Sequence, residues 1–243
     1  MKQGLTFMAL GMLGCLGFLL AVEATLAAGP PQENMAGLGS YRPPVLGAPR
    51  LRIGGGVRGT GDGGIPLVQV LAPRQAGQTT LAQPTLYWHL DQPTPQAVEI
   101  TIMAEGAVSP LLREILPGPV AAGLHAFRLT DGDKRLERGV GYNWFVAVIV
   151  QPKQRSRDAL ACGGLLLVEA PVGLAEQVRD LKGSELGTVY ARAGLWYEAI
   201  NALVEGQSEG AGQLRVAAQF ASILKQEEIT GVPLTKAQDD KRP

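Results

Sequence analysis

Arg138 to Val150 reads RGVGYNWFVAVIV, and this stretch decides the fold class. From Tyr142 onward nearly every residue is β-branched or aromatic. Such side chains pack well on a pleated surface and lose χ1 freedom in a helix. Gly139 and Gly141 precede the run and Pro152 closes it, so a segment of strand length is bracketed by breakers. Alternation places Tyr142, Trp144, Val146, Val148 and Val150 on one face, and Asn143, Phe145, Ala147, Ile149 and Gln151 on the other. Both faces are largely apolar, which predicts a central strand covered on both sides.

The neighbouring segments read as its partners. Ile65–Pro73 has the apolar content of a strand, and Pro66 assigns it to a sheet edge. Pro84–Leu90 (PTLYWHL) is aromatic and ends at Asp91-Gln92-Pro93. Ala97–Ala104 alternates, with Val98, Ile100 and Ile102 on one side and Glu99, Thr101 and Met103 on the other. Leu111–Leu116, Gly123–Thr130 and Ala159–Glu169 complete the set, and Asp131-Gly132-Asp133 supplies a turn. Short strands at regular turn spacing, without alternating helices, predict an antiparallel β-sandwich over residues 65–171. The segment Leu136-x-Arg138-Gly139-x-Gly141-Tyr142-x-Trp144 is similar to the turn and aromatic strand of immunoglobulin and fibronectin-type-III-like sandwiches. The expected class is thus β-rich α+β, with the helices after the strands.

After Pro171 the period changes. Leu174, Val178 and Leu181 recur at helical intervals. Leu186, Gly187, Tyr190, Gly194, Trp196, Ala199 and Leu203 follow the spacing of one tetratricopeptide repeat. There, small residues let two antiparallel helices touch, and aromatics fill the groove between them. Gly194 falls at or beside the turn. Gln213–Gln226 is a third helix, with Leu214, Ala217, Ala218, Ala221 and Leu224 on one face, widened by Val216, Phe220 and Ile223. One repeat cannot bury its own apolar face, so the hairpin is expected to pack on the third helix or on the sandwich. Residues 172–230 are therefore the helical region, and residues 231–243 a disordered polar tail.

The amino terminus has the layout of a secretory signal peptide: Lys2, an apolar run from Leu5 to Val22, then Thr25 and Ala27 as a small pair. Cleavage after Ala27 would give a periplasmic or secreted protein, with membrane contact only through an uncleaved signal. Residues 28–64, rich in Pro and Gly, read as a disordered linker. The run Gly54-Gly55-Gly56-Val57-Arg58-Gly59 lacks the preceding strand, the following helix and the Lys-Ser/Thr pair that a phosphate loop needs. Of the two cysteines, Cys15 lies in the signal segment and Cys162 in an apolar strand. The mature chain then has no intramolecular disulfide to form.

Lys plus Arg number 22 and Asp plus Glu number 22. This balance offers no general basic surface for nucleic acid. His89 and His125 both sit on strands, and Asp91 near His89 has no third ligand beside it. Asp131, Asp133 and Glu137 are grouped where a turn already needs Asp-Gly-Asp. No catalytic, cofactor or metal site is predicted. The expected function is a non-catalytic binding or structural module of the cell envelope, engaging an envelope protein or a glycan. Trp196 and Tyr197 are the candidate contacts if exposed. The alternative is a hydrolase on an envelope or extracellular polysaccharide, with His89 or His125 and two carboxylates in a cleft.

Several motifs together resemble the bacterial family known as domain of unknown function 928. They are the Gly54–Gly59 run, Leu81-Ala82-Gln83-Pro84-Thr85-Leu86-Tyr87-Trp88, Gly141-Tyr142-Asn143-Trp144, Arg155-Ser156 and Tyr190-Ala191-x-x-Gly194-Leu195-Trp196-Tyr197-Glu198-Ala199. The resemblance implies a secreted protein of this architecture and no assigned chemistry. The resemblance also implies cysteines in many members near the Gly-rich run and after the aromatic strand; this chain has none at those places.

Overall fold

The computed structural model describes residues 39–43, 65–129, 134–207 and 211–240. All belong to one compact unit, Ala36–Pro243. The expected signal segment, most of the expected linker and the Gly54–Gly59 run lie outside the described residues. The strands are β1 (Val68–Val70), β2 (Gly77–Thr79), β3 (Thr85–Leu90), β4 (Val98–Ala104), β5 (Leu112–Leu116), β6 (Gly123–Arg128), β7 (Gly141–Val148), β8 (Ala159–Leu167) and β9 (Gln238–Asp239). The helices are α1 (Leu174–Val178), α2 (Gly183–Arg192), α3 (Trp196–Glu205) and α4 (Ala211–Gln226).

The strands form two sheets, ordered β1-β3-β6-β9 and β2-β8-β7-β4-β5. Both are mixed, which corrects the expectation of a wholly antiparallel arrangement. β2 runs parallel to β8 and β9 parallel to β6, while the remaining pairs are antiparallel. The parallel pairs involve two short, polar strands, GQT and QD. Neither carries a hydrophobic pattern of its own; each is held by the edge of a longer strand.

β7 lies between β4 and β8, as a central strand should. Trp144, Val146 and Val148 are buried and join Ile100, Ile102, Leu86, Trp88 and Phe127 in one core. Trp144 has room only because its cross-strand partner is Gly163. A Cβ on Gly163 would come within 2.4 Å of the Ala72 Cβ and 2.9 Å of Trp144 Nε1. The other face of β7 is less covered than expected: Asn143 and Phe145 are half-buried. β1 is an edge strand, consistent with Pro66 two residues before it.

α2 and α3 form the expected hairpin. Gly194 turns it with φ +78°, and Gly187 lets α2 approach Leu203, where a Cβ would meet Cδ2 at 2.8 Å. α3 is buried along nearly its whole length, from Trp196 through Ile200 and again at Ala202 to Val204. A helix apolar on most sides is an interior element. It packs where the chain leaves β1 and crosses to β2, that is, where it changes sheets.

The tail departs most from expectation. Residues 231–240 are not a frayed end. Gln69 Nε2 donates to Thr230 O at 3.2 Å, Gln207 Nε2 to Thr235 O at 3.0 Å and Gln238 Nε2 to Ala122 O at 2.9 Å. Val232, Leu234 and Ala237 pack against the core, and the segment ends as β9. These anchors hold a polar strap against the first sheet, which composition alone could not show.

Candidate functional site

Trp196 and Tyr197 are not surface contacts. They are 0% and 2% exposed. Trp196 Nε1 donates to the Leu71 carbonyl at 2.8 Å, where β1 ends. The Tyr197 hydroxyl donates to Gly164 O at 2.7 Å and accepts from Trp144 Nε1 at 3.0 Å. Both aromatics enter the interior because their polar tips find partners there. Burial pushes the Tyr197 phenol well above its ordinary pKa. Trp88 and Trp144 are fully buried too, so none of the three tryptophans presents a face to a sugar.

Glu198, next along α3, is a buried carboxylate. Its Oε1 accepts from Thr79 Oγ1 at 3.0 Å, the Thr80 amide at 2.6 Å and Thr80 Oγ1 at 2.8 Å. Oε2 is buried without a partner. Desolvation raises its pKa, against the opposing pull of the Thr80 and Thr79 hydrogen bonds. The group brackets α3 to the end of β2.

The two histidines lie on opposite faces of the first sheet. His125 faces Trp88 across the strand pair and stacks on it, with centroids 4.1 Å apart and planes at 17°. Its Nδ1 lies 2.9 Å from Asp240 Oδ1 and its Nε2 2.9 Å from Ala121 O. Trp88 Nε1 donates to Asp240 Oδ2 at 2.6 Å. Burial raises the Asp240 pKa, with His125 and Trp88 pulling the other way. The strap is thus latched by one carboxylate that ties β3 to β6. His89 is buried and its Nδ1 has no partner; desolvation lowers its pKa, while Asp91 acts in the opposite sense.

Two open clefts adjoin the strap and helices, sharing Glu205 and Gln207. One, of about 310 Å³, lies between β6, β9 and the end of α3 and is lined by Arg128, Glu205, Gln207, Lys236 and Asp239 among others. Arg128 Nη2 donates to Glu205 Oε1 at 2.8 Å, and its Nε is 3.7 Å from Asp239 Oδ2. The Tyr87 hydroxyl, underneath, donates to Asn201 Oδ1 at 2.9 Å. The second, of about 420 Å³, includes Lys182, Gly183, Gly206, Arg215 and Val216. Arg128, Glu205 and Asp239 are brought together from three elements; no local sequence pattern joins them. Among the described residues, no group of three His, Cys, Asp or Glu is placed to hold a metal ion. No described helix is long and apolar enough to cross a membrane.

A third feature is occupied. Residues 39–43 lie extended on α2, α3 and α4. Gly39 and Tyr41 point inward; Ser40 and Arg42 point out. The Tyr41 ring packs edge-on to Trp196 at 4.8 Å and 78°. The Gln226 amide reads its backbone twice, accepting from Tyr41 N at 3.0 Å and donating to Tyr41 O at 2.7 Å. Arg42 N donates to Ala191 O at 3.0 Å. This corrects the reading of residues 28–64 as linker throughout. The lone aromatic Tyr41 among small and Pro residues was the available signal.

The sequence pattern of Domain of Unknown Function (DUF928) matches residues 53–236. The chain belongs to this family. The match spans β1 to β8 and α1 to α4, so the DUF928 region includes the second cleft and the strap as far as Lys236, while β9 and Asp239 of the first cleft lie beyond it. No curated protein matches the chain. Among solved structures, that of Astrotactin-2, described as a conserved vertebrate-specific and perforin-like membrane protein involved in neuronal development, is similar at 14% identity with a TM-score of 0.25. The similarity covers 68% of this chain and 32% of that one, so this DUF928 chain spans about a third of that structure.

Proposed function

We propose that this DUF928 protein is a non-catalytic binding or structural module of the bacterial cell envelope, periplasmic or secreted once its signal peptide is cleaved. Its framework is an immunoglobulin or fibronectin-III-like sandwich. The supporting feature is the strand order: β1, β3 and β6 in one sheet and β2, β8, β7, β4 and β5 in the other, with the first strand divided between the two. The helices form a tetratricopeptide-like hairpin with α4 beside it, supported by Gly187 and Gly194 at its contact and turn.

The observation that carries the binding reading is the polar cleft around Arg128. Cationic and anionic side chains converge there from β6, α3 and the strap. Such a surface suits a polar segment of an envelope protein better than a glycan, because the aromatic platforms that sugars stack on are buried. The hydrolase alternative would draw on His125 and Asp240. Their side chains are 3% and 4% exposed, and both imidazole nitrogens already face oxygen partners. Neither is positioned to move a substrate proton.

Crosslinking in intact cells tests the reading. A single envelope protein should be captured by the native chain and lost with Arg128→Ala, while the unfolding midpoint changes little. Capture unaffected by Arg128→Ala would remove the cleft from the account. Turnover of an envelope polysaccharide by the purified mature protein, abolished by His125→Ala in a variant that still folds, would replace it with the hydrolase.

A further inference from the structure

We infer that α2, α3 and α4 form a receptor groove for an extended, tyrosine-bearing peptide, filled here by the chain's own residues 39–43, and that the groove accepts the same segment from a second copy. This goes beyond the cleft reading and uses different residues.

The segment is recognised as a ligand would be. The fixed features are a side-chain slot, a backbone reader and a steric filter. Tyr41 is 2% exposed in the slot against Trp196. Gln226 exchanges both amide hydrogen bonds with the Tyr41 backbone, as a neighbouring strand would. Ala191 O adds a third bond one residue on. Gly39 sits so close to α2 that a Cβ would fall 2.6 Å from Thr188 Cγ2 and 3.0 Å from its Cα. Any larger residue two positions before the tyrosine is therefore rejected. The Tyr41 hydroxyl is buried without a hydrogen-bond partner, so the slot selects an aromatic ring by shape, and phenylalanine should serve as well.

The second copy follows from chain length. Residues 44–64 separate the segment from the first sheet; at about 3.3 Å per residue they can span about 70 Å. That reach is enough for the segment of one copy to enter the groove of another, an exchange that reuses every contact without creating new ones.

Complementation tests this with the full mature chain. Tyr41→Ala leaves the groove intact without its native ligand; Gln226→Ala leaves the ligand intact and cripples the groove. Mixed, the two should form a one-to-one complex by native mass spectrometry or sedimentation, absent from either alone. A synthetic peptide of residues 36–46 should bind Tyr41→Ala at least tenfold more tightly than the native chain, whose groove is filled. The same peptide with Gly39→Val should not bind. If Tyr41→Ala loses its cooperative unfolding, Gly39→Val in the chain is the donor-deficient variant in its place. A folded donor-deficient chain that takes up neither peptide nor partner overturns the proposal. So does peptide binding of equal strength to native and donor-deficient chains.

Discussion

The core between the strands and the seam between strands and helices are built differently. Val68, Val70, Leu86, Ile100, Ile102, Val146 and Val148 meet through apolar contact. Their contribution scales with area removed from water and tolerates swaps of similar volume. At the seam, the large contacts carry a polar tip with specific partners: Trp196 to Leu71 O, Tyr197 to Gly164 O and Trp144, Glu198 to Thr79 and Thr80, Tyr87 to Asn201. Such contacts fix one orientation, because each donor or acceptor is left unpaired when its partner moves. The sheets can be specified by pattern. The docking of α3 is specified by individual atoms.

If so, seam substitutions should be costly through both the volume and the polar partner they remove. Trp196→Ala removes a fully buried indole and orphans the Leu71 carbonyl. The expected loss is about 3–5 kcal/mol in urea unfolding, whereas Leu214→Ala on α4, where Leu214 is 72% exposed, should stay within about 0.5 kcal/mol.

Glu198→Ala strands three donors at the end of β2, for an expected loss of about 1–3 kcal/mol. Glu198→Gln keeps the Oε1 acceptor and should lose less. The pair also separates by pH. The Glu198 pKa is raised above its ordinary 4.5 in the folded state, so the folded protein holds a proton that the unfolded chain has released. Stability from this group is present below 4.5 and is lost as pH rises through the folded value. The native chain should therefore gain stability relative to Glu198→Gln as pH is lowered through that window, read from unfolding midpoints at several pH values.

Asp240→Ala removes the latch of the strap. Trp88 Nε1 and the His125 ring lose their carboxylate, and the expected loss is about 1–2 kcal/mol. Amide exchange should speed up at residues 238–240 and in β6 beside them, and change little in β7. Equal exchange across both sheets would show that the strap is not a separate closure.

The legible part of the molecule is the part with internal pattern. β7 was readable from its run of β-branched and aromatic residues, β4 from alternation, and the α2–α3 hairpin from Gly187, Gly194 and Ala199. β2 and β9 were not, since three and two residues carry no period; the edges of β8 and β6 order them. The exposure of Trp196 and Tyr197 was not readable either. Adjacent helical positions point about 100° apart, so one of the two would ordinarily face water. Both are buried because α3 is enclosed on most sides. Arg128, Glu205 and Asp239 share a cleft only through tertiary structure.

The decisive comparison is equilibrium unfolding followed by two signals at once: helical circular dichroism for α2–α4, and fluorescence of Trp88, Trp144 and Trp196 for the sheets and seam. If the seam joins helices and sheets into one cooperative body, the two transitions coincide in the native chain and shift together in Trp196→Ala. Helical signal lost at a lower urea concentration than the fluorescence change in the native chain would contradict this, and would make the helices a separately folding layer.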